Sequence, residues 1–109
     1  MYKKKELLEK ISNIFKKHKF GSKEAKISAE VIINAELVGA PSHGVSRLKM
    51  YCERIKKKLI NPKAIINIKK ISNSISLVNA NNSIGFVAAD IGIKQAISNA
   101  KKTGIGLVG

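Results

Sequence analysis

Leu7, Leu8, Ile11, Ile14 and Phe15 recur three and four residues apart, with lysines between them. That spacing gathers them on one side of a helix and predicts a helix over 3–18. Phe20-Gly-Ser22 interrupts the pattern, and Ser22 is placed to cap the next helix. The second helix is expected over 22–39, with Ala25, Ala29, Ile32, Ala35 and Leu37/Val38 as its apolar face. Few charges follow Glu30, so this helix is expected to be the more buried of the two. Ala40-Pro-Ser42 is a second break. A third helix over 43–58 carries Val45, Leu48, Cys52, Ile55 and Leu59 as its stripe. It ends at Leu59-Ile-Asn-Pro62, because the residue before a proline disfavours the α region.

The character then changes. Residues 65–68 and 74–78 read as short strands, the second with alternating polar and apolar positions, and 80–83 as a turn. A fourth helix over 85–102 has Val87, Ala88, Ile91, Gln95/Ala96 and Ile97 on its inner side, and Thr103-Gly104 ends it. Ile105-Gly-Leu-Val108 reads as a buried strand. The class is α/β, with a three-helix subdomain over 1–62 and the start of a mixed α/β layer over 63–109. A strand that closes on the final residue has no continuation to cover it. The chain is therefore expected to be an incomplete domain, the N-terminal part of something longer, or to need a partner.

Composition narrows the class of function. A chain of 109 residues with 44% hydrophobic and 26% charged positions is expected to be a soluble globular protein rather than a disordered one. No apolar run reaches transmembrane length, and the first residues lead into an amphipathic pattern instead of a signal peptide. The cytoplasm is the expected compartment. With Cys52 the single cysteine, no intrachain disulfide can form.

The net charge of +14 invites a second class, a small basic module for nucleic acid or another anionic surface. Nineteen of the 21 basic residues are Lys, however, and only Arg47 and Arg54 could grip guanine edges with a two-pronged fork. Lys, Ile and Asn together fill 45 of the 109 positions. All three have A/T-rich codons, so the charge is read as compositional background and nucleic acid is not expected as a partner.

Three motifs carry candidate chemistry. Gly104-Ile-Gly-Leu-Val-Gly109 spells the dinucleotide fingerprint, but that fingerprint needs a strand before it and a helix opening inside it. Here a helix precedes it and the motif is itself the strand, so Gly104 reads as a helix end. His18 lies at the end of the first helix, where a cation suits the dipole. One Cys and two His make no zinc-type cluster, so no metal site is expected.

The third is Pro41-Ser-His-Gly-Val-Ser-Arg47. At about 100° per residue, with Ser42 as N-cap, His43, Arg47, Tyr51 and Arg54 fall within one arc of about 80°, apart from the apolar stripe. The stripe starts at a helix N-terminus, which favours an anion. His43 there could transfer a proton, and Arg47 could hold a carboxylate through two hydrogen bonds. On spacing alone, a solvated helix face accounts for the same pattern.

Four stretches carry a resemblance: Ala35-Glu-Leu-Val-Gly-Ala-Pro-Ser-His-Gly-Val-Ser-Arg-Leu-Lys-Met-Tyr51, Lys58-Leu-Ile-Asn-Pro62, Ser76-Leu-Val-Asn-Ala-Asn-Asn-Ser-Ile-Gly85, and Gly104–Gly109. In this order they resemble the N-terminal region of the malate/L-lactate dehydrogenase family. These are NAD(P)-dependent 2-hydroxyacid oxidoreductases with a non-Rossmann cofactor fold; the family includes ureidoglycolate and sulfolactate dehydrogenases and a cyclic-imine carboxylate reductase. The resemblance implies His43 as the acid/base residue, Ser42 as the group that orients it, Arg47 as the holder of the substrate carboxylate, and Tyr51 as a pocket residue. It also implies a small 2-hydroxy or 2-oxo acid substrate and NAD or NADP as cofactor. Residues 63–109 would begin the cofactor-binding domain, with most of the cofactor site outside the chain, and the full-length protein would be a homodimer. The chain departs from the family at Pro41, where an Asp is usual.

Overall fold

In the computed structural model residues 3–109 are described. They contain four helices and a three-stranded sheet, so the α/β class is observed. The chain divides into two units, one ending at Lys63 and one spanning Ala64–Gly109.

The first unit is built on α1 (Lys4–Lys17) and α2 (Ser22–Leu37). The three- and four-residue spacing of apolar positions is realised over most of both helices: Ile11 and Phe15 of α1 and Ala25, Ala29, Ile32 and Ile33 of α2 are buried, but Leu37 and Val38, expected on the same face, are 61% and 79% exposed at the end of α2. Small residues line the first half of the inner side of α2, at Ala25, Ser28 and Ala29, and isoleucines the second. The buried Ser28 satisfies its hydroxyl by donating to the Glu24 carbonyl, 2.9 Å away. α1 ends in a left-handed Lys19 (φ 71°), and the turn brings Phe20 back so that its ring meets Phe15 at 5.0 Å between centroids. Ser22 does not cap α2: the N-cap is Gly21, and no side chain bonds there.

The expected helix over 43–58 is shorter. Residues Pro41–His43 and Val45–Arg47 form two single 3₁₀ turns, and α3 runs only from Leu48 to Lys56. Gly44, at φ −97° and ψ −141°, is far from helical and separates the two turns. Of the expected stripe, Ile55 is buried, Cys52 is part-buried, and Leu59 is 63% exposed.

In the second unit, β1 (Asn67–Lys70) pairs antiparallel with β2 (Ile75–Asn79), with Asn67 opposite Asn79. After the turn at Asn81 and Asn82, both left-handed, α4 (Gly85–Thr103) leads to β3 (Leu107–Val108). β3 lies parallel to β2, so the order is β1-β2-β3 with β2 central. A parallel neighbour requires a crossover, and α4 supplies it. Ile84, Val87, Ser76 and Asn99 are buried in this unit.

Two expectations fail here. The strand at 105–108 is not buried: Ile105 is 72% and Leu107 60% exposed. Ile97, expected on the inner side of α4, is 49% exposed, and the buried position two residues further on is the polar Asn99. Asn99 is held inside because its Nδ2 donates to Ser76 Oγ (3.1 Å) and Gln95 Nε2 donates to its Oδ1 (2.9 Å).

Candidate functional site

The segment after α2 makes a tight, self-bonded turn. Pro41 sits at its first position, where its missing N–H costs nothing. The His43 N–H donates to the Ala40 carbonyl and the Gly44 N–H to the Pro41 carbonyl. Ser46 Oγ donates to the same Pro41 carbonyl at 2.7 Å.

On this turn Ser42, His43 and Arg47 are bonded to one another. Ser42 Oγ lies 3.0 Å from His43 Nδ1, which assigns Nδ1 to the hydroxyl. Among the described residues no side chain pairs with Nε2, and His43 is exposed. Arg47 Nε donates to the Ser42 carbonyl at 2.6 Å, and Nη1 approaches Met50 Sδ at 3.8 Å. The guanidinium is thus anchored through Nε, with its Nη groups at the outer end. Tyr51 follows four residues later, part-buried within α3.

The expected geometry is corrected in its cause. Ser42 is not the N-cap of a long helix, and His43 and Arg47 do not share a helix face; each closes its own 3₁₀ turn. An anion site at a helix N-terminus beside His43 is likewise absent from the described residues, because α3 begins five residues later and three-residue turns sum no useful dipole. What joins Arg47 to Ser42 is a hydrogen bond across Gly44.

Glu36 was not singled out by the sequence. It reaches from the last turn of α2 and accepts the Val45 N–H at 2.7 Å. Its carboxylate also occupies the space where a Cβ on Gly44 would stand. The one available signal was a Glu eight residues before a glycine flanked by two turns, too unspecific to read.

Elsewhere, burial pushes the Cys52 thiol above its ordinary pKa and the Lys56 charge partly offsets this, as suits a part-buried structural residue. His18 is the C-cap residue of α1, as its position predicted. No group of His, Cys, Asp and Glu among the described residues could hold a metal ion. No described helix is long and apolar enough to cross a membrane. Lysines occur on all four helices and on β1. That dispersal gives no support to a dedicated nucleic-acid surface.

The glycine motif does not fit a dinucleotide. Gly104 is the left-handed cap of α4 (φ 89°). Gly106 passes so close to α4 that a Cβ there would strike the Ala96 carbonyl. Gly106 is there for close packing on α4, and no helix opens within 104–109 to meet a pyrophosphate.

Known proteins match most of the chain. The profile of a family described as malate/L-lactate dehydrogenase matches residues 2–109. The malate/(S)-sulfolactate dehydrogenase of Methanothermus fervidus is 46% identical over 85 residues, covering 78% of this chain and 25% of that protein. The sulfolactate dehydrogenase structure from Methanocaldococcus jannaschii superposes with a TM-score of 0.94 at 33% identity, covering 97% of this chain and 31% of that one. The malate dehydrogenase structure from Pyrococcus horikoshii gives 0.93 at 34% identity, covering 96% and 30%. The chain therefore spans about a quarter to a third of the length of the relatives it matches.

Proposed function

The chain belongs to the malate/L-lactate dehydrogenase family, and on that premise we propose that it provides the proton-transfer and carboxylate-binding part of an NAD(P)-dependent 2-hydroxyacid dehydrogenase. The observation that carries this reading is the bonded trio of Ser42, His43 and Arg47 on one turn.

His43 is the acid/base residue. With Nδ1 committed to Ser42 Oγ, the ring presents Nε2 to the substrate. In oxidation Nε2 takes the proton of the substrate hydroxyl; in reduction it returns a proton to the oxygen of the 2-oxo acid. Ser42 fixes the ring's orientation. Arg47 binds the substrate carboxylate. Its Nε is occupied by the Ser42 carbonyl, so the grip is end-on, through both Nη groups. Tyr51 lines the pocket beside it.

NAD or NADP would supply the hydride exchange with the substrate carbon, and the glycine motif at 104–109 does not form a dinucleotide cradle for it. Names among the relatives include malate, sulfolactate and ureidoglycolate dehydrogenases, so the substrate class is a small 2-hydroxy acid. A cytoplasmic homodimer is the setting this reading carries with it.

The test is made in the active enzyme. His43→Ala is expected to lower kcat by about 10²–10⁴-fold, the range for loss of a positioned acid/base group. Arg47→Lys is expected mainly to raise KM, since an ammonium cannot reproduce the planar fork. Unchanged turnover in His43→Ala would sink the reading.

A further inference from the structure

We propose that Glu36 is a positioning residue for His43 and Arg47, setting where their turn sits against α2. The inference rests on the roles proposed above for those two residues.

Apart from the approach of Arg47 Nη1 to Met50 Sδ in α3, the other side-chain bonds of the turn are internal, and none of them reaches α2. Ser46 returns to Pro41, Arg47 to Ser42, and Ser42 to His43. They make the turn a stiff body but do not fix its place on the helix. The backbone link through Val38, Gly39 and Ala40 turns at a left-handed Gly39 (φ 79°) and is pinned only to the end of α2, the Gly39 N–H donating to the Glu36 carbonyl and the Ala40 N–H to the Ala35 carbonyl. The Glu36 side chain adds the bond that reaches past this link, to the far side of Gly44. Its Oε1 accepts the Val45 N–H, nine residues on, at 2.7 Å. Val45 opens the second 3₁₀ turn, so its N–H has no partner within that turn. A carboxylate there makes a charge-assisted bond, stronger than a neutral one.

The contact is also steric. Glu36 lies against the Cα of Gly44, in the volume a side chain at 44 would take. Gly44 is the residue between His43 and the turn that carries Arg47. One carboxylate therefore holds the pivot of the site, by a hydrogen bond on one side and by packing on the other. Glu36 touches neither reacting group. Its effect on chemistry passes through the placement of His43 and Arg47, where a displacement near 1 Å costs about 10²-fold in rate.

The test compares Glu36→Ala with Glu36→Gln, which keeps an acceptor at the same reach. In ¹H–¹⁵N spectra of the full chain, Glu36→Ala should move the Val45 amide proton upfield and displace the His43 ring and Arg47 Nε–H signals. Phe15 and Ile32 signals should stay in place, and Glu36→Gln should restore most of the shift. Should Glu36→Ala fail to fold, Glu36→Asp decides, since it keeps the charge but falls one methylene short. Unmoved Val45, His43 and Arg47 signals in the folded variant would overturn the proposal. In the active enzyme, Glu36→Ala should lower kcat/KM per folded site by about 10–100-fold, with Glu36→Gln close to the parent. A purely structural role would lower the yield of folded enzyme and leave kcat/KM per site unchanged, which also overturns the proposal. His43→Ala run alongside separates the two failures. If His43→Ala has no effect, the catalytic reading falls. If it abolishes turnover while Glu36→Ala does nothing, Glu36 alone is excluded.

Discussion

Phe15, Ala25, Ala29 and Ile32 of the helical unit are 0% exposed, while Ile65, Ile105 and Leu107 of the sheet unit keep between 60% and 75% of their surface in water. Both units have apolar residues in abundance. In the first, two helices with matched stripes face each other, and each supplies the cover the other needs. In the second, β2 sends Ser76 inward but leaves Ile75 and Leu77 on the open face of the sheet, where Leu107 of β3 stands opposite Ile75. The interior of this unit is partly polar instead, closed by the Ser76–Asn99–Gln95 bonds, and at its rim the Thr103 hydroxyl lies within hydrogen-bond reach of the Ile105 carbonyl (2.7 Å) and the Asn99 carbonyl (3.0 Å). Hydrophobic burial is non-directional and tolerates variation, whereas a buried polar cluster holds only while each member is satisfied. The two units therefore answer differently to substitution.

The largest effect is expected at Phe15. Phe15→Ala removes a fully buried ring and its contact with Phe20, and should cost about 3–5 kcal/mol. Urea unfolding followed by far-UV circular dichroism would measure it. A cost under about 1 kcal/mol would mean the helical core is loose enough to collapse around the gap, and the contrast between the units would disappear.

Next comes Gly106→Ala, where the sheet unit is closed by backbone rather than by side chains. The added methyl meets the Ala96 carbonyl, which belongs to a regular helix and cannot swing aside. A cost of about 1–3 kcal/mol is expected, the usual range for overpacking. The same unfolding experiment checks it, and amide exchange should rise in β3 and the last turns of α4 first. Free tolerance of Ala there would show that α4 and β3 can part without penalty, and the sheet unit would be looser than described.

Much of this was legible in the chain and some was not, for identifiable reasons. α1, α2 and α4 follow from apolar spacing, because a helix with one wet side must repeat near 3.6 residues. The helix expected from residue 43 was misread. Pro41 marks a boundary in the sequence, but Gly44 inside the expected helix takes an extended ψ and cuts the segment into 3₁₀ turns. The grouping of Ser42, His43 and Arg47 came from a motif, and a helical wheel supplied the wrong reason for it. Glu36 was invisible because its partner is a backbone N–H, which no side-chain pattern reports. Asn99 was missed for a related reason: a polar residue on a helix reads as solvated, and its burial depends on Ser76, twenty-three residues earlier. The exposed Ile105 and Leu107 show the opposite error, since an apolar run predicts burial only where another element arrives to cover it.

The smallest effect is the sharpest check on that last point. Leu77 stands on β2 opposite Lys69 of β1 and is 47% exposed. Leu77→Thr removes apolar bulk and introduces a β-branched side chain, which suits a strand. Half of the Leu surface already meets water, so little transfer energy is at stake, and the backbone ladder to β1 is untouched. A change of at most about 0.5 kcal/mol is expected in the isolated chain, near the level of an ordinary surface substitution. The same substitution in a longer protein of this family answers a different question. Were it to cost several-fold more there, the open face of the sheet would be a surface that other residues cover, and the contrast with the helical unit would belong to these 109 residues alone. An equally small cost in both settings would make the exposed leucine a lasting property of the sheet, leaving its polar interior as the main source of order in this unit.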